Sequence, residues 1–77
     1  MELFILTSTY LEYQTGNVGS FADVFESMSQ CMEIARFWFD SAVDDGAKVW
    51  VDEDNRYTTY FEGIQTKWVY ECTMDEL

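Results

Sequence analysis

Between Ser20 and Asp45 the apolar residues Phe21, Val24, Phe25, Met28, Cys31, Met32, Ala35, Trp38, Phe39, Ala42 and Val43 recur at spacings of three and four. That is the period of a helix with one buried side. At ~100° per residue they fill an arc of about 140°, so the pattern predicts one long amphipathic helix over 20–45. Ser20, with Asp23 following at capping-box spacing, reads as its start, and Gly46 suits a C′ stop. Phe25 and Trp38 are expected in the core, where truncation to alanine costs ~3 to 5 kcal/mol.

The remaining chain alternates with a period of two. Residues 2–14 carry Leu3, Ile5, Thr7, Thr9 and Leu11 on one face and Phe4, Leu6, Ser8 and Tyr10 on the other. Both faces are apolar over the first half, which suits an interior strand. Residues 14–19, with two glycines and an asparagine, read as a loop. Strands are expected over 47–53, 56–62 and 67–74, joined by a tight turn at Asp54-Asn55 and a second turn over 63–66. The tail Asp75-Glu76-Leu77 is expected to fray.

The order β-α-β-β-β predicts an α+β domain of two layers, one long helix packed on one face of a mostly antiparallel four-stranded sheet. All of 1–77 belongs to this single domain, a size at which a core is barely sufficient. Val49, Val51, Phe61 and Trp68 mark the face expected to meet the helix. Trp50, Tyr60 and some of Phe4, Leu6 and Tyr10 are then left for solvent, a partner or a second copy, and Trp50 with Tyr60 is the expected homodimer face.

Charge changes the picture. Fifteen carboxylates against four basic residues give a net charge of -11, with no histidine to titrate near neutrality. Direct binding to nucleic acid or to an anionic membrane is therefore not expected. Disorder is excluded by an apolar content of 48%, which gives the chain enough surface to bury. No apolar run approaches a membrane span and the N-terminus lacks a signal-peptide pattern, so a cytoplasmic protein is expected. In that setting Cys31 and Cys72 are expected as buried free thiols rather than a disulfide.

Catalytic chemistry finds no foothold. No histidine stands by to activate a Ser, Thr or Cys, there is no phosphate-binding glycine loop, and Asp52-Glu53-Asp54-Asn55 lacks the glycine and bidentate glutamate of a calcium loop. No enzyme, metal or cofactor is expected. On the helical wheel Glu26, Glu33, Asp40 and Asp44 fall within about 40° of one another, a row with steps of ~10, 10 and 6 Å. Asp40, Asp44 and Asp45 crowd the helix C-terminus, where the macrodipole disfavours anions by ~0.3 to 1 kcal/mol each. Phe37, flanked by Ile34, stands beside that row inside the polar face.

These features favour a non-enzymatic acidic binding protein whose carboxylates mimic the phosphate backbone and so block a basic nucleic-acid-binding protein. Glu26, Glu33, Phe37, Asp40 and Asp44 form the expected contact surface. Small size, acidity and an aromatic among the acids are shared in kind by phage-encoded inhibitors of restriction, CRISPR or host transcription machinery, an analogy of properties alone. The alternative is a homo-oligomeric interaction module associating through the aromatic sheet face.

Overall fold

The structure, a computed structural model, describes residues 1–76. Six elements follow one another: β1 (Glu2–Glu12), β2 (Val18–Phe25), α1 (Met28–Asp44), β3 (Lys48–Glu53), β4 (Arg56–Phe61) and β5 (Thr66–Glu76). The strands form one antiparallel sheet of five, ordered β2-β1-β5-β4-β3, and α1 lies across one face. The two-layer α+β architecture is as expected, but the sheet has five strands where four were predicted.

The extra strand takes the end of the predicted loop, Val18 and Gly19, and the first six residues of the predicted helix. Residues 18–25 are extended and pair with β1 from Phe4↔Phe25 to Leu11↔Val18. A β1–β2 hairpin closes around Gly16, whose φ of +75° and N–H bond to the Glu12 carbonyl (2.8 Å) make the turn. Ser20 and Asp23 are therefore strand residues and cap nothing. The helix starts instead at Ser27, extended at φ −143° and ψ 154°, whose Oγ accepts the Gln30 N–H at 3.1 Å. Gln30 reaches back, its Oε1 accepting the Glu26 N–H at 3.3 Å.

The other end matches the sequence. Gly46 takes φ +82°, its N–H donates to the Val43 carbonyl, and the Ala47 N–H donates to that of Ala42, both at 3.0 Å. These paired bonds are a Schellman stop. The Asp54-Asn55 turn also forms, and it does more than reverse the chain. Asn55 clasps the middle of β5, donating from Nδ2 to the Cys72 carbonyl (2.7 Å) and accepting the Cys72 N–H (2.9 Å). Asp75 and Glu76, expected to fray, pair with Leu3 and Glu2 of β1; Leu77 lies outside the described residues.

Leu6, Cys31, Met32, Ala35, Tyr57, Tyr70 and Cys72 form the buried cluster, with Phe4, Phe25, Met28, Phe39 and Trp68 packed against it. The helical phase from Met28 to Ala42 is thus as predicted, whereas Leu6, Phe4 and Tyr10 face the helix instead of the open side. Val49, Val51, Phe61 and Trp68 do share the helix-facing side by register. Val51, on the edge strand β3, nevertheless stays 62% exposed. Trp38, placed in the core by periodicity, is 46% exposed.

Cys31 and Cys72 are joined in a disulfide between α1 and β5, correcting the expectation of free thiols. Both are fully buried. No helix of the described residues is long and apolar enough to cross a membrane.

Candidate functional site

The outward face of α1 carries most of the predicted contact residues. Glu33, Phe37 and Asp40 meet around a shallow depression of about 510 Å³, with Ser29, Ile34 and Arg36 completing its lining. Asp44 is exposed a turn further on. Glu26 does not join them: it sits in the bend before Ser27, off the helix, so the predicted row is shorter by one member. Phe37 is 61% exposed, covered by no sheet edge and touching Trp38 edge-on at 5.2 Å.

Arg36 is the sole cation on this layer, and it is tied down. Its Nε donates to the Tyr57 hydroxyl at 3.4 Å, and that contact, with the nearby charge of Asp40, raises its pKa further above the ordinary guanidinium value. The remaining basic residues, Lys48, Arg56 and Lys67, project from the opposite face of the sheet, where they share register rows with Tyr60, Glu71 and Leu11. Lys48 pairs with Glu62, which raises its pKa, and Arg56 lies between Asp52, Glu53 and Glu71. Acids outnumber cations on both layers, but three of the four cations stand on the sheet face turned away from α1, leaving Arg36 alone among the acids of the helix.

The predicted homodimer residues lie on that rear face too. Trp50 is 48% exposed, while Tyr60 is half-buried with Tyr13 edge-on against it at 6.0 Å. Val18 and Val24 of edge strand β2 share this open face by register with Leu11 and Ile5.

A second hollow, which periodicity does not reveal, opens on the other side of α1. It is a cleft of about 580 Å³ between the C-terminal half of the helix and the sheet. Strands β1, β2, β4 and β5 supply Ser8, Phe21, Ala22, Asp23, Phe61, Trp68 and Tyr70; the helix and its cap supply Trp38, Ser41, Ala42 and Asp45. Phe21 and Trp68 stand near-parallel at 6.3 Å (20°), and Trp68 and Tyr70 at 5.9 Å (2°). Burial pushes the Tyr70 phenol up; the Thr59 hydroxyl pulls it weakly back, although Thr59 Oγ1 reaches no partner at hydrogen-bonding geometry.

Sequence reasoning missed this cleft because its walls come from separate strands and because β2 was read as helix. Trp38 stands at the edge of the predicted apolar arc, and periodicity read it as core. Among the described residues no three His, Cys, Asp or Glu side chains converge to hold a metal ion. Compared with family models, with curated proteins and with solved structures, the chain finds no match.

Proposed function

We propose that this chain is a non-enzymatic acidic binding protein whose α1 face stands in for a phosphate backbone and occupies the basic groove of a nucleic-acid-binding protein. The observation that carries this reading is the exposed row of acids on the outward face of α1, away from three of the chain's four cations. Glu33, Asp40 and Asp44 are exposed on α1 with Arg36 as the one cation among them, and the other basic residues stand on the far face of the sheet, Lys48 and Arg56 in ion pairs. Carboxylates ~6 to 10 Å apart suit Lys and Arg side chains arranged for phosphates. Exposed Phe37 offers the desolvated anchor that charge alone lacks.

The test is capture and competition. Immobilised chain is exposed to purified nucleic-acid-binding proteins of the source cell, and duplex DNA is added to the complex. Mimicry requires the DNA to displace the chain. Glu33→Lys with Asp40→Lys should then lower kon and flatten its salt dependence, while Phe37→Ala should raise koff. Binding unaffected by all three changes, or by DNA, would overturn the reading.

A second reading has its own observation. Trp50, Val18 and Val24 are exposed on a sheet face that no second layer of the described residues covers, and a second copy of the chain would cover it. Light scattering at ~100 µM would show a dimer that Trp50→Lys dissolves; a monomer at that concentration eliminates this reading.

A further inference from the structure

The cleft between α1 and the sheet combines two features that do not belong together in an ordinary core. Its body is aromatic, with Phe21, Trp38, Trp68 and Tyr70 on the walls, and its rim carries two carboxylates, Asp23 and Asp45. None of the chain's basic residues lines it. Asp45 is also the C-cap of α1, and the last helical turn holds no basic residue. The negative end of the helix dipole therefore adds to the two carboxylates instead of being offset. Such an arrangement costs the fold a little and leaves a negative potential focused in an apolar hollow.

Each class of occupant fares differently there. An anion is repelled by both carboxylates and the helix end. A neutral apolar molecule would fill the volume but strip water from Asp23 and Asp45 without replacing it. A cation on an apolar body satisfies every wall at once, since ring faces attract a cation within about 6 Å and carboxylates complete its hydrogen bonds. The volume of about 580 Å³ lies within the ~300 to 1,000 Å³ usual for small-molecule sites.

We propose that this cleft is a binding site for a small organic cation, an ammonium or guanidinium group carried on an aromatic or branched aliphatic body. The charge sits between Asp23, Asp45 and the indole of Trp38, and the apolar body lies against Trp68 and Phe21. This site is independent of the outward α1 face, so it stands whether or not that face meets a basic partner.

The probe is benzylammonium, with benzyl alcohol and benzoate as its neutral and anionic counterparts. Calorimetry and NMR of the uniformly labelled protein should show the cation binding at least tenfold more tightly than either counterpart. The indole N–H signals of Trp38 and Trp68 should move while that of Trp50, on the opposite face, stays still. Asp23→Asn and Asp45→Asn should each weaken binding three- to tenfold. Glu33→Gln with Asp40→Asn, which removes charge outside the cleft, should change it less than twofold. Equal binding of benzyl alcohol, movement confined to Trp50, no binding of the cation at 10 mM, or equal losses from the outside pair would each overturn the proposal. The NMR and ligand-series readouts use the unaltered chain, so the proposal can fail or stand without any variant having to fold.

Discussion

At the scale of single residues, side-chain fit explains positions that pattern alone misassigns. Gly19 reads from sequence as a loop glycine valued for positive φ, yet it lies inside β2 opposite Tyr10. A Cβ there would collide with the Tyr10 ring, which lies over the glycine and continues toward Phe21 and Trp68 at centroid distances of 6.2 and 5.0 Å. Alanine normally stabilises a strand relative to glycine by roughly 0.5 to 1 kcal/mol, but displacing a packed ring costs ~1 to 3 kcal/mol, so the collision outweighs the gain in backbone entropy. Gly19→Ala should lower the melting temperature, while Gly63→Ala, with open space around it, should not. Equal melting of the two would show that Tyr10 swings aside freely. The same logic reorders the core. Leu6, at 1% exposure, should lose ~2 to 5 kcal/mol on truncation to alanine, and Trp38, at 46%, distinctly less. Urea titrations of the two variants check that order, which is opposite to the one periodicity implies.

At the scale of elements, what was legible is what local chemistry dictates. Gly46 stops α1, Asp54-Asn55 turns the β3–β4 hairpin, and Met28, Cys31, Met32, Ala35 and Ala42 face the sheet, each because a backbone angle or a spacing leaves little choice. The boundary between β2 and α1 was not legible. Phe21, Phe25 and Met28 continue the helical spacing backwards, but Gly19, Phe21, Asp23 and Phe25 also alternate, and a short apolar run cannot separate the two periods. Long-range pairing with β1 decides it, giving the strand's N–H and C=O groups partners that an isolated extra turn of helix would not improve upon. The disulfide was hidden for the same reason, since only the helix-on-sheet arrangement brings Cys31 to Cys72 across 41 positions. Closing a loop of about 40 residues restricts the unfolded chain by ~4 kcal/mol, a large share of the stability of so small a domain. Replacing both cysteines with alanine should lower the urea midpoint strongly. Because both sulfurs are fully buried, dithiothreitol should reduce the native protein only as fast as it opens, and added urea should accelerate the appearance of doubly alkylated protein when samples are quenched with excess iodoacetamide and weighed by mass spectrometry. Prompt reduction in native buffer would show that the helix lifts off the sheet without unfolding.

At the scale of the whole molecule, the net charge of -11 acts against the compact state. The exposed ion pairs of Lys48 and Arg56 are the opposing electrostatic contribution, and salt weakens them too. Their sizes decide the sign. Exposed pairs are worth ~0 to 1 kcal/mol apiece, and those of Arg56 share one guanidinium. The repulsion, by contrast, sums over many unpaired acids on both layers, with Asp40, Asp44 and Asp45 set against the helix dipole as well. Raising the ionic strength from ~0.01 to 1 M shortens the screening length from about 30 to 3 Å, which removes long-range repulsion before it removes contacts at ion-pair distance. Sodium chloride should therefore raise the melting temperature, most steeply below ~0.2 M. Neutralising Asp44 and Asp45 to asparagine should raise the low-salt value and reduce the slope. If the melting temperature falls with salt, the ion pairs on the sheet outweigh the repulsion, and the acids on α1 exact no stability cost that binding would have to justify. A rise would mean that the helix face is held in an electrostatically unfavourable state, which a cationic partner or ligand would relieve.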